Sequence, residues 1–132
     1  MASPATPLEG AELLASVTDA LVSLHQRYHR RAPVTAKAQL LGGDLLVCVL
    51  GGVYTEVEKT LIELGRAPIV HENRSAFQTA TQTRFVDVVE RLSGRDVLQF
   101  ISTHHVGPDL EVELFLLGPR SSASGPLEQG GA

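Results

Sequence analysis

A chain of 132 residues, 43% hydrophobic and 20% charged, is long enough to bury a core without metal or disulfide staples and too apolar to be disordered along its middle. Fifteen Asp and Glu against eleven Lys and Arg give a net charge of -4, which argues against a nucleic-acid surface, since that needs a basic stripe to neutralise phosphates. The single cysteine, Cys48, has no partner for an internal disulfide and fits a reducing compartment.

No apolar run approaches the ~20 residues that cross a bilayer, and Met1-Ala2-Ser3-Pro4 lacks the basic-then-apolar layout of a signal peptide, so a cytoplasmic location is expected. Residues 1–10 and 119–132 are rich in Pro, Gly, Ser and Ala. They gain too little from burial to offset the entropy of ordering, and are expected as disordered tails around a single domain over 11–118.

Leu14, Val17, Leu21, Leu24 and Tyr28 fall on one stripe of a helix predicted over 11–29, stopped before Pro33. Two strands follow, 35–41 and 44–50, joined by Gly42-Gly43, a pair able to take the positive φ of a hairpin turn. The second strand, Leu45 to Leu50, is apolar on both faces. It is therefore expected to be central and covered on both sides, by helices or by a partner subunit, with Cys48 a buried small hydrophobe.

Thr55-Glu56-Val57-Glu58 has capping-box spacing and opens a short helix through Leu61 and Leu64, ended by Gly65. After a loop holding Pro68, a third helix is predicted from near Asn73 to Gly94, with Phe77, Phe85, Val88 and Leu92 inward. Strands over 96–103 and 110–117 complete the chain. The expected fold is α+β, ordered helix-strand-strand-helix-helix-strand-strand, a four-stranded mostly antiparallel sheet with helices on one face. A constant shift carrying Gly42 onto Gly107 also matches Asp44 with Asp109, Leu45 with Leu110, Val47 with Val112 and Leu21 with Val86. Either a helix-strand-strand unit is duplicated, or two hairpins with similar turns look alike.

His25 and His29, four apart on a helix, have the spacing of a two-ligand metal site but lack a third ligand nearby, which favours solvated helix-end histidines and no metal. His104-His105 precede Gly107-Pro108-Asp109. As strand neighbours they point to opposite faces, and one of them, His104 or His105, could serve as an acid or base if it faced a pocket; exposure without a role is the simpler reading. Arg30, Arg31 and Lys37 form a cationic cluster that either receives a small anion or is a solvated helix end. Arg74, Arg84, Arg91 and Arg95 line the third helix and its exit, with Glu90 and Asp96 as available partners. No phosphate-binding glycine loop, nucleophile elbow or paired-cysteine motif is present, so no catalytic residue and no cofactor is assigned.

Several pieces, read in order, resemble the MpsC-like family of small bacterial domains. They are Ala32-Pro33 followed by Ala36-Lys37-Ala38, Thr55-Glu56-Val57-Glu58-Lys59 with Leu61, Arg74 with Phe77, Val89-Glu90 with Ser93-Gly94-Arg95, and Asp109 with Val112-Glu113-Leu114-Phe115. Around the first proline the family usually carries glycines, where this chain has Arg30 and Ala32. The resemblance implies a component of a membrane-potential-generating, sodium-translocating system linked to inorganic carbon supply. With no membrane span, such a chain would act as a peripheral or regulatory partner of a membrane transporter.

Two functions are thus expected to compete. The first is a non-enzymatic cytoplasmic interaction or regulatory module, a homodimer, supported by the resemblance and by the doubly apolar strand. The second is a small-anion or metabolite-binding domain with weak enzyme activity, its ligand-binding candidates being Arg31, Lys37, Arg74, Arg95 and His104.

Overall fold

The computed structural model describes residues 6–120; the outer parts of both expected tails lie outside the described residues. Seven elements follow in the expected order: α1 (Gly10–His29), β1 (Thr35–Leu41), β2 (Leu45–Gly51), α2 (Glu56–Glu63), α3 (Ala67–Ser93), β3 (Val97–His105) and β4 (Leu110–Leu117). All neighbouring strands are antiparallel, in the order β1-β2-β4-β3. Both hairpins therefore lie side by side, with β2 and β4 central.

The buried line of α1 is Leu13, Val17, Leu21 and His25, each four residues after the last, so the stripe is turned slightly from the expected one and ends on a histidine. Its C-cap, Arg30, holds a left-handed φ of 59° while its N–H donates to Gln26 O at 2.8 Å. That is a conformation glycine adopts without steric cost, and here a side chain pays it. The β1-β2 turn has three residues instead of two, Asp44 joining Gly42 and Gly43, whose φ angles are 62° and 80°.

The capping box of α2 is complete: Thr55 N donates to Glu58 Oε1 at 2.9 Å and Glu58 N to Thr55 Oγ1 at 3.2 Å. The third helix starts at Ala67, well before Asn73, because Pro68 occupies its first turn, where the missing N–H costs nothing. Phe77 is not inward; it is 43% exposed, with its ring 5.0 Å from that of His29.

Helices α1 and α3 cover one face of the sheet. Leu46, Cys48 and Leu50 of β2 and Phe115 and Leu117 of β4 are buried beneath them with Val17, Leu21, Val70, Phe85 and Val89. Phe115, Phe100 and Phe85 stack in sequence across this layer. The other face carries Leu45, Val47 and Val49 of β2, Val112, Leu114 and Leu116 of β4, Leu41 of β1 and Ile101 of β3, with nothing packed over them among the described residues. The expected second cover of β2 is thus not supplied by the described chain.

The central register has an internal symmetry. The shift that carries Gly42 onto Gly107 turns the pair Leu45↔Leu116 into Leu110↔Gly51 and Leu46↔Phe115 into Glu111↔Leu50, both of which are present, and returns Cys48↔Glu113 to itself. It fails at the edge: Ala36↔Leu50 would become Ile101↔Phe115, whereas Ile101 faces Leu114, one residue displaced beside the Val97/Gln99 irregularity. Close to its inner end the N-terminal segment is held: Leu8 N donates to Leu92 O at 2.9 Å and its side chain packs on the core.

Candidate functional site

Period-two alternation puts Glu111, Glu113, Phe115 and Leu117 of β4 on one side of the sheet, and it is the covered side. Two carboxyl groups are thereby buried under the helices, at 7% and 2% exposure. In register, Glu111 lies between Leu50 and His104, and Glu113 between Cys48 and Ser102. Burying charge is unfavourable unless it is paired and hydrogen-bonded. The two glutamates meet that requirement very differently.

Glu111 has the guanidinium of Arg74, whose Nη1 donates to its Oε1 at 3.3 Å, and the imidazole of His25 at 3.8 Å. Burial pushes its pKa up, but a hydrogen bond with Glu113 and the charge of Arg74 outweigh that and hold it below the usual carboxylate range. Glu113 has no such cation. Burial first, then the neighbouring Glu111, drives it well above that range and favours the protonated acid. Its Oε1 and the Tyr54 hydroxyl are the buried side-chain polar atoms without a hydrogen-bond partner among the described residues.

Arg74, 3% exposed on α3, organises the rest. Nε donates to Glu58 Oε2 at 2.8 Å, Nη1 to His25 Nε2 at 3.1 Å and to Glu111 Oε1, and Nη2 to Val53 O at 2.8 Å and Glu58 Oε1 at 2.5 Å. These bonds use all five N–H donors of a guanidinium. Its plane also lies over the Tyr54 ring, 4.9 Å from the centroid. Since Arg74 can only donate, His25 Nε2 must accept, and His25 Nδ1 carries the proton it gives to Arg31 O at 3.1 Å. His25 is consequently not a solvated helix-end residue: at 1% exposure it joins α1, α3 and the loop before β1, with both ring nitrogens engaged.

Asp109, in the β3-β4 turn, ties the loop after β2 to the same cluster. Its carboxylate accepts from Val53 N at 2.8 Å and Tyr54 N at 3.4 Å, while its carbonyl accepts from Gly52 N at 3.1 Å. That fixes the Val53 carbonyl which Arg74 binds. Above the cluster, a narrow cleft of about 20 Å³ opens between α1, α3 and the sheet, lined by His29, Phe77, Ser102, His104, Glu111 and Glu113 among others. His29 is held down at about 4 by burial, then by Arg74 and His25. His104 is lowered by burial, then by His71, on which it stacks at 4.7 Å. Both imidazoles facing the cleft are thus neutral at pH 7.

Of the five ligand-binding candidates taken from the sequence, Arg74 and His104 line this one cleft, as does His29 of the candidate histidine pair. His104 lies within β3, half-buried, and only His105 is exposed. Arg31 reaches the cluster through its carbonyl, while its Nε donates to Gly52 O at 3.1 Å. Lys37 is on the open face of the sheet. Arg95 sits at the opposite end, donating to Gly118 O at 2.7 Å and Gly43 O at 2.8 Å. The five do not form a single anion site. Along α3, Glu90 accepts from Val97 N and Arg91 pairs with Asp87 at 3.6 Å. Glu58, Glu111 and Glu113 escaped the sequence reading as site residues, and His25 was read as a solvated helix end; the signal for Glu58 and Glu113 was their place in the pieces carrying the family resemblance, of whose residues Glu58, Arg74, Asp109 and Glu113 converge here. Among the described residues no group of three or more His, Cys, Asp or Glu could hold a metal ion, and no helix is long and apolar enough to cross a membrane.

The family model described as "Na+-translocating membrane potential-generating system (MpsC)" matches residues 10–118. No curated protein and no solved structure matches the chain. The chain belongs to the MpsC family.

Proposed function

We propose that this MpsC-family chain is a non-enzymatic, cytoplasmic regulatory module of a Na+-translocating, membrane-potential-generating system, acting as a homodimer that docks as a peripheral partner on the system's membrane component. The supporting observation is the open face of the sheet. Leu45, Val47, Val49, Val112, Leu114 and Leu116 form two adjacent apolar rows on the central strands, flanked by Leu41 and Ile101, and Lys37 is the only Lys, Arg, Asp or Glu in that face. A contiguous apolar surface of this kind marks an interaction site.

A second copy is the occupant that fits. Four strands about 4.8 Å apart, each seven to nine residues long, present a face of roughly 500 Å². Two such faces together bury about 1,000 Å², the lower bound of a specific interface, and twisted sheets stack face to face readily at about 10 Å. A shallow groove of about 150 Å³ beside Val47 and Val49 accepts side chains from the facing sheet.

Native mass spectrometry with light scattering tests this. The wild type is expected to be a dimer, and Val47→Glu combined with Leu114→Glu a folded monomer; a wild-type monomer at tens of micromolar would overturn the homodimer. The anion-binding alternative receives less support, because Arg74, the cation lining the cleft, has no donor left for a ligand.

A further inference from the structure

We propose that the buried Glu113 carboxyl, with the Ser102 hydroxyl beside it, is a binding site for a single alkali-metal cation. The inference is independent of the docking reading, since this cleft lies on the helix-covered side of the sheet and the docking face on the other.

Charge balance is the first argument. The cluster contains one guanidinium, Arg74, and it is already matched by the two carboxylates it binds, Glu58 and Glu111. Glu113 is a third carboxyl with no countercharge of its own. In the absence of a ligand it is neutralised by a proton shared with Glu111, while its Oε1 makes no hydrogen bond. A polar atom that is 98% removed from solvent with its residue and left unpartnered is costly, and such sites are explained by a group that occupies them.

The groups facing Glu113 decide what that group is. From β3 come the Ser102 hydroxyl, directly across in register, and neutral His104; from α1, neutral His29; from α3, the neutralised Arg74; from β2, Cys48, whose thiol burial pushes up to about 12; and from its own strand, Glu111. The ionised set sums to a negative field with oxygen donors, which suits a hard cation and repels an anion. Too few carboxylate and imidazole ligands converge for a divalent metal. An organic cation would need free aromatic faces, but Phe100 is stacked between Phe85 and Phe115, and Phe77 lies against His29. One carboxylate supplemented by neutral oxygens is the donor set for a monovalent ion, and the cleft, open to solvent at its mouth, admits one body of about a water's size.

Binding exchanges charge for charge: the cation enters, the Glu113 O–H bond breaks, and the proton leaves to solvent. The experiment uses the full chain at pH 7 in choline chloride, with NaCl or KCl substituted at constant ionic strength. Two readouts are followed, proton release in weak buffer and the thermal unfolding midpoint. Expected are release of up to about one proton per chain and, above half-saturation, a roughly tenfold rise in the folded-to-unfolded ratio per tenfold rise in NaCl or KCl. Glu113→Gln, which copies the shape of the protonated acid, should abolish both responses. Ser102→Ala, which deletes one oxygen, should weaken them severalfold in a folded protein. Identical behaviour in choline and alkali chlorides, or an undiminished response in either variant, overturns the site.

Discussion

Glu58 grips Arg74 through both carboxylate oxygens while its own backbone N–H and Oε1 close the cap of α2 on Thr55. One side chain therefore anchors α2, an element with no buried residue of its own, to the buried face of α3. The short helix is held by this fork together with Leu61 and Ile62, which pack half-buried against the core.

Removing the guanidinium leaves Glu58 and Glu111 without their cation and Val53 O without its donor. Arg74→Met is expected to cost about 3–5 kcal/mol, read from urea unfolding with an unchanged slope. Arg74→Lys should recover only part of this, because an ammonium cannot span the same five acceptors.

Stability should fall on both sides of a maximum, for opposite reasons. His29 titrates at about 4 in the fold and near 6.5 when unfolded, so the folded state binds fewer protons and stability is lost as pH falls through that window. Glu113 is raised, so the folded state binds more protons and stability declines as pH climbs above the ordinary carboxylate value of 4.5. Glu58 and Glu111, both lowered, lose their contribution as pH falls below 4.5. Urea midpoints from pH 4 to 8 should show the acid limb flattened in His29→Gln, by about 1 kcal/mol after allowance for its partial exposure. Glu113→Gln should flatten the alkaline limb.

Gly52 has a φ of 66°, and a Cβ there would meet Val34 Cγ2 at 2.5 Å, whereas Gly43, with a φ of 80°, has nothing within 4 Å of an added Cβ. Gly52→Ala is expected to cost about 2–3 kcal/mol and Gly43→Ala about 1 kcal/mol. The difference isolates the steric part, and because Gly52 O accepts from Arg31 and Gly52 N donates to Asp109 O, only the first should perturb the Tyr54 environment in near-ultraviolet circular dichroism.

Cys48 is fully buried and its thiol is pushed up to about 12 by burial, then by Glu113 and Glu111. Alkylation by iodoacetamide at pH 8 should follow global unfolding, so that its rate rises with urea in step with the unfolded fraction. Rapid labelling in native buffer would show that β2 opens locally.

Element order was legible because helix and strand periods differ and because Gly42-Gly43, Thr55 to Glu58 and Gly94 are strong local signals. The start of α3 was not, since Pro68 punctuates a loop and a first helical turn equally well. The polar cluster was harder. In Leu110-Glu111-Val112-Glu113-Leu114 the alternation suggests leucine and valine inside and glutamate in water, yet the helices cover the glutamate side. What inverts it is Arg74, a residue distant in sequence that pairs Glu111, together with Phe115 and Leu117, which share the glutamates' parity and belong to the core. Likewise His25 reads as a solvated helix end until Arg31 O and Arg74 arrive to take both ring nitrogens.

Cys48 and Glu113 share the one position that the internal symmetry of the sheet maps onto itself. In an assembly of two identical half-length chains, whatever side chain stood there would meet its own duplicate across the axis. A glutamate would then set two buried carboxyls against each other, and a cysteine would supply none. A lone acid at the centre of this sheet therefore requires the two hairpins to differ at this position, and a single polypeptide that carries both, with a thiol on one and a carboxyl on the other, meets that requirement without any change in the shape of the frame.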